Sequence, residues 1–433
     1  MNVLPAARGV RFVEPGPGYP NRMANRTLIA FLPRPAQRAE PPGLRPSMIV
    51  WAAWLVLMAG ANLATPLYAV YAQRFAFSSL TLTAIFATYA VVLVPSLILF
   101  GRLSDRFGRR PVMLAGLAVA CGALVLFALA QSMAWLFAAR ALQGLAVGTI
   151  SSAATAALVE VDPTGDRRRA ALLAGLAQAG GSATGPLLAG VLAQWAPEPR
   201  QLCFFVGLVL TGCAALVIAR LLPEPAAGRD RERWRIEWPR VPAEIRGAFL
   251  RVSLTSATVW ATMALFLSIV PSYASELLNT DNLALLALIA ALALLASCAS
   301  QLAVTYLPGR PARDEAIGLA LLAGGLTALV VAAPLHSLPL MMASAVCAGV
   351  GHGLAFLNAQ QELNQIAPQA RRGEVTAAFI ACTYALLALA VVGSGLLNEY
   401  VSLTAAVGVV AAALAALAVL VALWQVRVAA SQR

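Results

Sequence analysis

The chain has 433 residues, of which 60% are hydrophobic and 12% charged, and its mean hydropathy is +0.77. A water-soluble domain is about half apolar and about a quarter charged, so this chain has too little polar surface to face water on every side and its main solvent is lipid. The formal net charge of +12 would suit a nucleic-acid binder, but the basic residues are all Arg and sit in the short gaps between apolar runs, which excludes that class.

Residues 1–46 are rich in Pro and Arg and lack both an apolar h-region and a small-residue cleavage site, so they are not a secretory signal. They are expected to be a disordered cytoplasmic tail, with Met23 and Met48 as alternative translation starts. Beyond them the apolar spans fall at 48–70, 80–100, 112–131, 134–158, 170–193, 202–222, 247–273, 282–304, 316–333, 338–363, 374–397 and 401–424. Each approaches or exceeds the ~20 residues that cross the hydrocarbon core as a helix. A barrel would need alternating strands about ten residues long. The prediction is an all-α integral membrane protein of twelve transmembrane helices, with residues 425–433 as a cytoplasmic tail.

The arginines orient these spans. Arg102, Arg106, Arg109 and Arg110 fall in loop 2–3, Arg167, Arg168 and Arg169 in loop 4–5, Arg310 and Arg313 in loop 8–9, and Arg371 and Arg372 in loop 10–11. The alternate loops hold only Arg74 and Arg200. Basic loops stay inside, which puts both termini in the cytoplasm. Segment 223–246, with Pro223, Pro225, Pro239, Pro242 and six Arg, is expected to be a cytoplasmic linker between six-helix bundles at 47–222 and 247–424. A shift of 205 residues carries Gly144 onto Gly349, Gly148 onto Gly353, Pro163 onto Pro368 and Arg167 onto Arg372. Two halves related by an axis along the membrane normal is a known transporter plan.

No metal or cofactor is expected. Cys121, Cys203, Cys213, Cys298, Cys347 and Cys382 lie in or beside spans and form no CxxC pair, as packing cysteines do. Two histidines, His336 and His352, are too few for a His-ligated metal enzyme. The chain has no GxxxxGK[ST] loop, which excludes a nucleotide-driven pump, and no catalytic cluster or soluble domain.

Three motifs carry more. The first is Gly101-Arg102-Leu103-Ser104-Asp105-Arg106-Phe107-Gly108-Arg109-Arg110. Gly101 and Gly108 permit a tight turn, and Asp105 can pair with Arg or meet a helix N-terminus. The second is Arg140-Ala141-Leu142-Gln143-Gly144 in span 4. An Arg inside a span is costly and usually functional, the alternative being a snorkelling side chain. The third is Gly181-Ser182-Ala183-Thr184-Gly185-Pro186 with Gly190 in span 5. Its small residues allow close helix approach and its Pro a kink, in a packing seam or a functional bend.

The first motif resembles the G-x-L-x-D-R-x-G-R-R/K signature of the major facilitator superfamily. The second resembles that family's R-x-x-Q-G, and the third resembles G-x-x-x-G-P-x-x-G-G of its twelve-helix drug/proton antiporter-like branch, with Ala189 in place of one Gly. The resemblance spans residues 48–424 and implies the major facilitator fold. It implies that the first loop latches the halves in the outward-facing state, Asp105 facing the start of span 11 near Glu374. Glu160 is the expected partner of Arg106 or Arg109. The implied activity is export of a small neutral or lipophilic molecule by a monomer in a bacterial inner membrane, driven by proton entry. Uptake of a sugar or other metabolite is the alternative.

His352, amid Gly349, Gly351 and Gly353, could switch protonation or simply bond across helices as a neutral side chain. Glu362 is the second candidate for coupling. Asn62, Tyr89, Trp260 and Tyr384 are the expected lining of a substrate cavity. Span 1 carries no midplane carboxylate, unlike some antiporters of the family.

Overall fold

Backbone N–H and C=O groups find no water inside hydrocarbon, so a long apolar run there closes its hydrogen bonds within itself as a helix. A computed structural model describes residues 45–162, 166–223, 241–306, 311–368 and 371–431, without the side chains of residues 101, 102, 372, 373 and 431. The expected tail to residue 44, most of the expected linker (224–240), Pro163 and Arg310 lie outside the described residues. From Arg45 onward the chain is one compact unit.

The helices are α1 (Pro46–Asn62), α2 (Tyr68–Phe75), α3 (Ser79–Phe107), α4 (Arg109–Ala128), α5 (Met133–Glu160), α6 (Arg167–Trp195) and α7 (Leu202–Leu221), then α8 (Arg246–Ser268), α9 (Val270–Leu278), α10 (Leu283–Tyr306), α11 (Pro311–Leu335), α12 (Leu338–Ile366), α13 (Arg372–Leu397) and α14 (Leu403–Ser431). Among the described residues, eleven stretches are long and apolar enough to cross a membrane. Helix α6 is also 29 residues long but richer in Gly, Ala and Gln. It packs against α1 and α10, and it completes the expected set of twelve. It begins at Arg167 rather than at 170 because Asp166 caps it, accepting from the backbone N–H of Arg168 and Arg169. Large apolar side chains such as Val91, Leu216, Leu389 and Leu420 stand exposed, the surface expected to meet lipid acyl chains.

Two expectations need correction. Spans 1 and 7 are not continuous helices. Span 1 breaks after Asn62, passes through a 3-10 turn at Thr65–Leu67 and resumes as α2, while span 7 breaks at Ile269 and resumes as α9. Proline lacks the N–H that would continue the helix, and both breaks carry one: the same shift of 205 residues takes Pro66 onto Pro271 and Tyr68 onto Tyr273. The second correction concerns the expected tail from residue 425. Helix α14 continues to Ser431, because Gln425 is buried among side chains of α8 and α11.

The repeat seen in the sequence has a packing cause. A Cβ on Gly144 would overlap the Tyr89 carbonyl oxygen of α3, and one on Gly148 would lie 2.8 Å from the Leu93 oxygen. In the second half, a Cβ on Gly349 would overlap the Ala293 carbonyl of α10, and one on Gly353 would overlap Ser300 and the Ser297 carbonyl. Small residues thus let α5 lie on α3 and α12 on α10 at backbone distance.

The cores are arranged unequally along the membrane normal. One large core draws on both halves, with Leu67, Ile85 and Phe204 from the first and Phe266, Leu294 and Val391 from the second. The face carrying the arginine loops has two cores instead. One is built around Trp54, Met113 and Leu158 of the first half, and the other around Phe249, Leu363 and Phe379 of the second. The halves therefore share one core toward the face opposite the arginine loops and have separate cores toward the arginine-rich face, with α6 and α10 in contact as far as Gly175 and Gln301.

Gly144→Leu and Gly349→Leu should each lower the melting temperature of the detergent-purified protein, by an overpacking cost of about 1–3 kcal/mol. Gly393→Leu, at a position with nothing within 4 Å of its missing Cβ, should melt like the parent. Equal melting of all three would disprove the close-packing role.

Candidate functional site

The closure at the face opposite the arginine loops is built from two helix pairs. In the first, Asn398 donates to the Ser79 hydroxyl at 2.8 Å, and Glu399 accepts from the Leu80 backbone N–H at 3.3 Å. The carboxylate thus sits at the N-terminus of α3, where the helix dipole favours an anion. Beside them Gly395 of α13 lies against Thr83 of α3. In the second pair, Gln194 of α6 accepts from the Leu283 N–H at 2.8 Å, and Gly190 lies against Ala287 of α10. The third sequence motif is thereby divided. Gly181 and Gly185 sit against Leu55, Met58 and Ala59 of α1, and Gly190 meets the other half; Pro186 lies inside α6 between them.

The arginine-rich face is arranged differently. Helix α3 runs through Gly101 to Phe107, so the turn expected from two glycines is made by Gly108 alone, at φ 98, where a side chain would be strained. Arg109 collects the local anions, with Asp105 at 2.5 Å and Glu160 at 2.7 Å, and also donates to Ser104 at 2.6 Å. Of the two expected partners for Glu160 it is therefore Arg109, while Arg106 lies over the Phe107 ring. Arg110 donates to the Ala219 carbonyl of α7. Glu374 pairs with Arg371 at 2.8 Å. Among the described side chains, which leave out residues 372 and 373 at the start of α13, the partner of Asp105 is Arg109. The Asp105 side chain is 65% exposed.

Between these faces lie the buried polar residues. Arg140 is 2% exposed. It donates to the Tyr68 hydroxyl, to the Ala61 carbonyl at 2.9 Å and to Gln143 at 2.9 Å, and Gln143 reaches the Gly60 carbonyl. The rings of Phe86, Tyr68, Tyr89 and Phe127 lie 5.0–5.9 Å from its guanidinium carbon, within cation–π range. So Arg140 does not snorkel, and among the described residues no carboxylate pairs with it. Asn62 is a packing contact, bonded to the Met58 carbonyl and to Ser182 of α6. Tyr89 of α3 and Tyr384 of α13 lie near one another where the two halves meet. In α12, His352 is fully buried, its Nδ1 2.8 Å from the Ser297 hydroxyl. Trp260 meets its ring edge-on at 4.9 Å and Phe356 stacks on it at 5.5 Å.

A second polar group surrounds Glu362, and its other members were not singled out from the sequence. Arg251 of α8 pairs with Glu362 of α12 and donates to Gln425 of α14, which in turn donates to Glu315 of α11. The signal was present, since Arg251 is an ionisable residue set inside an apolar span and Glu315 stands at the edge of another. They lie so near the helix starts that they look like interfacial charges, and only the packing of four helices brings them together.

Among the described residues, eleven helices long and apolar enough to cross a membrane, with α6 as a twelfth of span length, define a multi-pass membrane protein. A sequence profile described as the Major Facilitator Superfamily matches residues 50–332, and the chain belongs to that superfamily. The multidrug resistance protein MdtL of Escherichia coli O81 (strain ED1a) is 29% identical over 287 residues, 63% of this chain and 70% of that protein. The class D tetracycline resistance protein of Salmonella ordonez is 34% identical over 134 residues, 30% of this chain and 32% of that one. Among solved structures, the human organic anion transporter MFSD10 (TETRAN) superposes with a TM-score of 0.67 at 16% identity, covering 89% of this chain and 100% of its own. The nucleoside transporter NupG (D323A mutant) gives a TM-score of 0.67 at 12% identity. The family match and the two resistance-protein relatives place the chain beside the drug/proton antiporter-like members, and the two structures share its fold.

Asp105→Asn should insert and melt like the parent, because the carboxylate is exposed here, yet transport should fall roughly tenfold, as loss of one coupling contact does. Full transport by a normally expressed Asp105→Asn protein would overturn the latch assignment.

Proposed function

We propose that this transporter exports a small neutral or lipophilic molecule across a bacterial inner membrane by alternating access, coupled to proton entry. The observation that carries the reading is the chemistry of the region where the halves meet. Its partly exposed side chains include Tyr89, Tyr384 and Trp260, while the nearby cation, Arg140, is wrapped in its own half. Aromatic faces with hydroxyl and indole edges hold apolar ligands and orient them by a few polar contacts. The names of the two resistance proteins above and the Gly181–Pro186 motif in α6 support the outward direction.

In this reading the arginine-rich face is cytoplasmic, and the conformation described is open to the cytoplasm. Substrate enters between the separate cores of the two halves. The α3–α13 and α6–α10 contacts at the far face then part, and Asp105 moves from Arg109 toward the start of α13. His352 and Glu362 are the sequence's two nominees for the proton-responsive group. His352 sits in a neutral aromatic nest, whereas Glu362 belongs to a chain of charges.

Everted membrane vesicles should accumulate a lipophilic dye when a proton gradient is imposed, and an ionophore should abolish the accumulation. Accumulation only in right-side-out vesicles would establish uptake instead. Reporter fusions after Arg109 and after Arg371 should both be cytoplasmic; a periplasmic signal from either would overturn the twelve-span map.

A further inference from the structure

Glu315 is 1% exposed, one turn inside α11. Its Oε1 accepts from the Thr255 hydroxyl of α8 at 2.7 Å, and its Oε2 accepts from the Gln425 amide of α14 at 2.8 Å. The Gln425 carbonyl oxygen accepts from Arg251 Nη1, and Arg251 Nη2 donates to Glu362 Oε1. The result is one chain, Thr255–Glu315–Gln425–Arg251–Glu362, running through four helices of the second half. It holds two carboxylates and one guanidinium. The guanidinium contacts Glu362 directly and reaches Glu315 only through a neutral amide.

The charged groups whose fields act on Glu315 are Arg251 from α8 and Glu362 from α12, while α14 contributes the neutral Gln425. On α11 itself, Arg313 is exposed and Asp314 half-buried at the helix start. His352 bonds to Ser297 and takes no part in the chain. The sequence repeat shows how unusual the position is. The shift of 205 residues carries Arg110 onto Glu315 and Arg220 onto Gln425, so a carboxylate stands where the first half has a cation bonded to α7.

The donor directions fix where a proton can go. Gln425 gives its oxygen to Arg251 and its amide N–H to Glu315, so it cannot accept from the carboxyl. A threonine hydroxyl can both donate and accept. A proton on Glu315 Oε1 is therefore accommodated when Thr255 reverses from donor to acceptor, and the chain is then neutral overall. Without it, the chain has one surplus negative charge in a buried site, which is costly.

We propose that Glu315 is a proton-binding site of this transporter, holding the proton on Oε1 against Thr255 while the arginine-rich face is open. Helix α8 supplies both Thr255 and Arg251, so its movement against α11 and α14 breaks the Thr255–Glu315 and Arg251–Gln425 bonds together. The break in span 7 beyond Ser268 leaves α8 a separate rod for that movement. The proton then leaves Glu315, and the carboxylate turns to Arg251. The link to transport rests on the proton-coupling part of the proposed function; the proton site itself does not.

The test uses the full chain, purified in nanodiscs without substrate, and infrared difference spectra across a pH step. The carbonyl stretch of a protonated, buried carboxylic acid should appear, vanish in Glu315→Gln, and persist in Glu362→Gln and His352→Ala. Thr255→Val, which keeps the carboxyl but removes its partner, should shift that band, and it serves should Glu315→Gln fail to fold. Absence of the band in the parent, its survival in Glu315→Gln, or an unmoved band in Thr255→Val overturns the proposal. In everted vesicles, Glu315→Gln should lower gradient-driven accumulation roughly tenfold; unchanged accumulation overturns its part in coupling. A parent that ignores the gradient yet shows the Glu315 band supports the site and overturns the coupling reading.

Discussion

Inside hydrocarbon, each polar group must find its partner within the protein, and the arrangement of this molecule follows from that demand. Arg140 cannot reach water, so Tyr68, Gln143, two backbone carbonyls and a ring of aromatic faces enclose its side chain and that of Gln143. Arg251 cannot either, so it is shared between Glu362 and Gln425. These enclosures are made within one half each. The halves can therefore move against one another without exposing a charge to lipid.

What joins the halves is mainly apolar packing, with few polar bonds. Beside the shared core, the far face has a few hydrogen bonds at helix ends and the close approach of Gly190 and Gly395 to their neighbours. Such bonds can be exchanged for water as the face opens, at little net cost. By contrast, the glycine seams of α5 on α3 and of α12 on α10 lie within a half, where backbone meets backbone and rearrangement is resisted. Glycine seams that hold within each half suit alternating access, and the breaks at Pro66 and Pro271 leave α1 and α8 as separate rods within their halves.

The two halves repeat in packing but not in charge. The glycine seams and broken spans recur at one constant shift. On the arginine-rich face the first half places its cations on α4, with Arg109 on Glu160 and Arg110 on α7. The second half places a carboxylate at the matching point of α11 and draws its cation from α8. Packing restricts residue size at a seam, whereas charge at a rim is free to diverge, and that divergence gives the second half its own electrostatic behaviour.

Much of the fold was legible in the chain because lipid allows so few solutions. Apolar runs of span length must be helices, Arg-rich gaps mark one face, and Gly144, Gly148, Gly349 and Gly353 announce helix contacts. Residues close in sequence were legible too, such as the Asp105–Arg109 neighbourhood on one turn of chain. The breaks in spans 1 and 7 were marked by Pro66 and Pro271 but are easily passed over, since proline is tolerated in membrane helices. Which groups meet across helices was decided only in three dimensions. Thr255, Glu315, Glu362 and Gln425 are up to 170 positions apart, and no local pattern states that α8, α11, α12 and α14 converge on one side. Sequence determined the membrane embedding and the spans, which follow from solvent and local chain; the pairing of buried charges was left to the tertiary structure, because it depends on how rods of nearly equal hydrophobicity are arranged around one another.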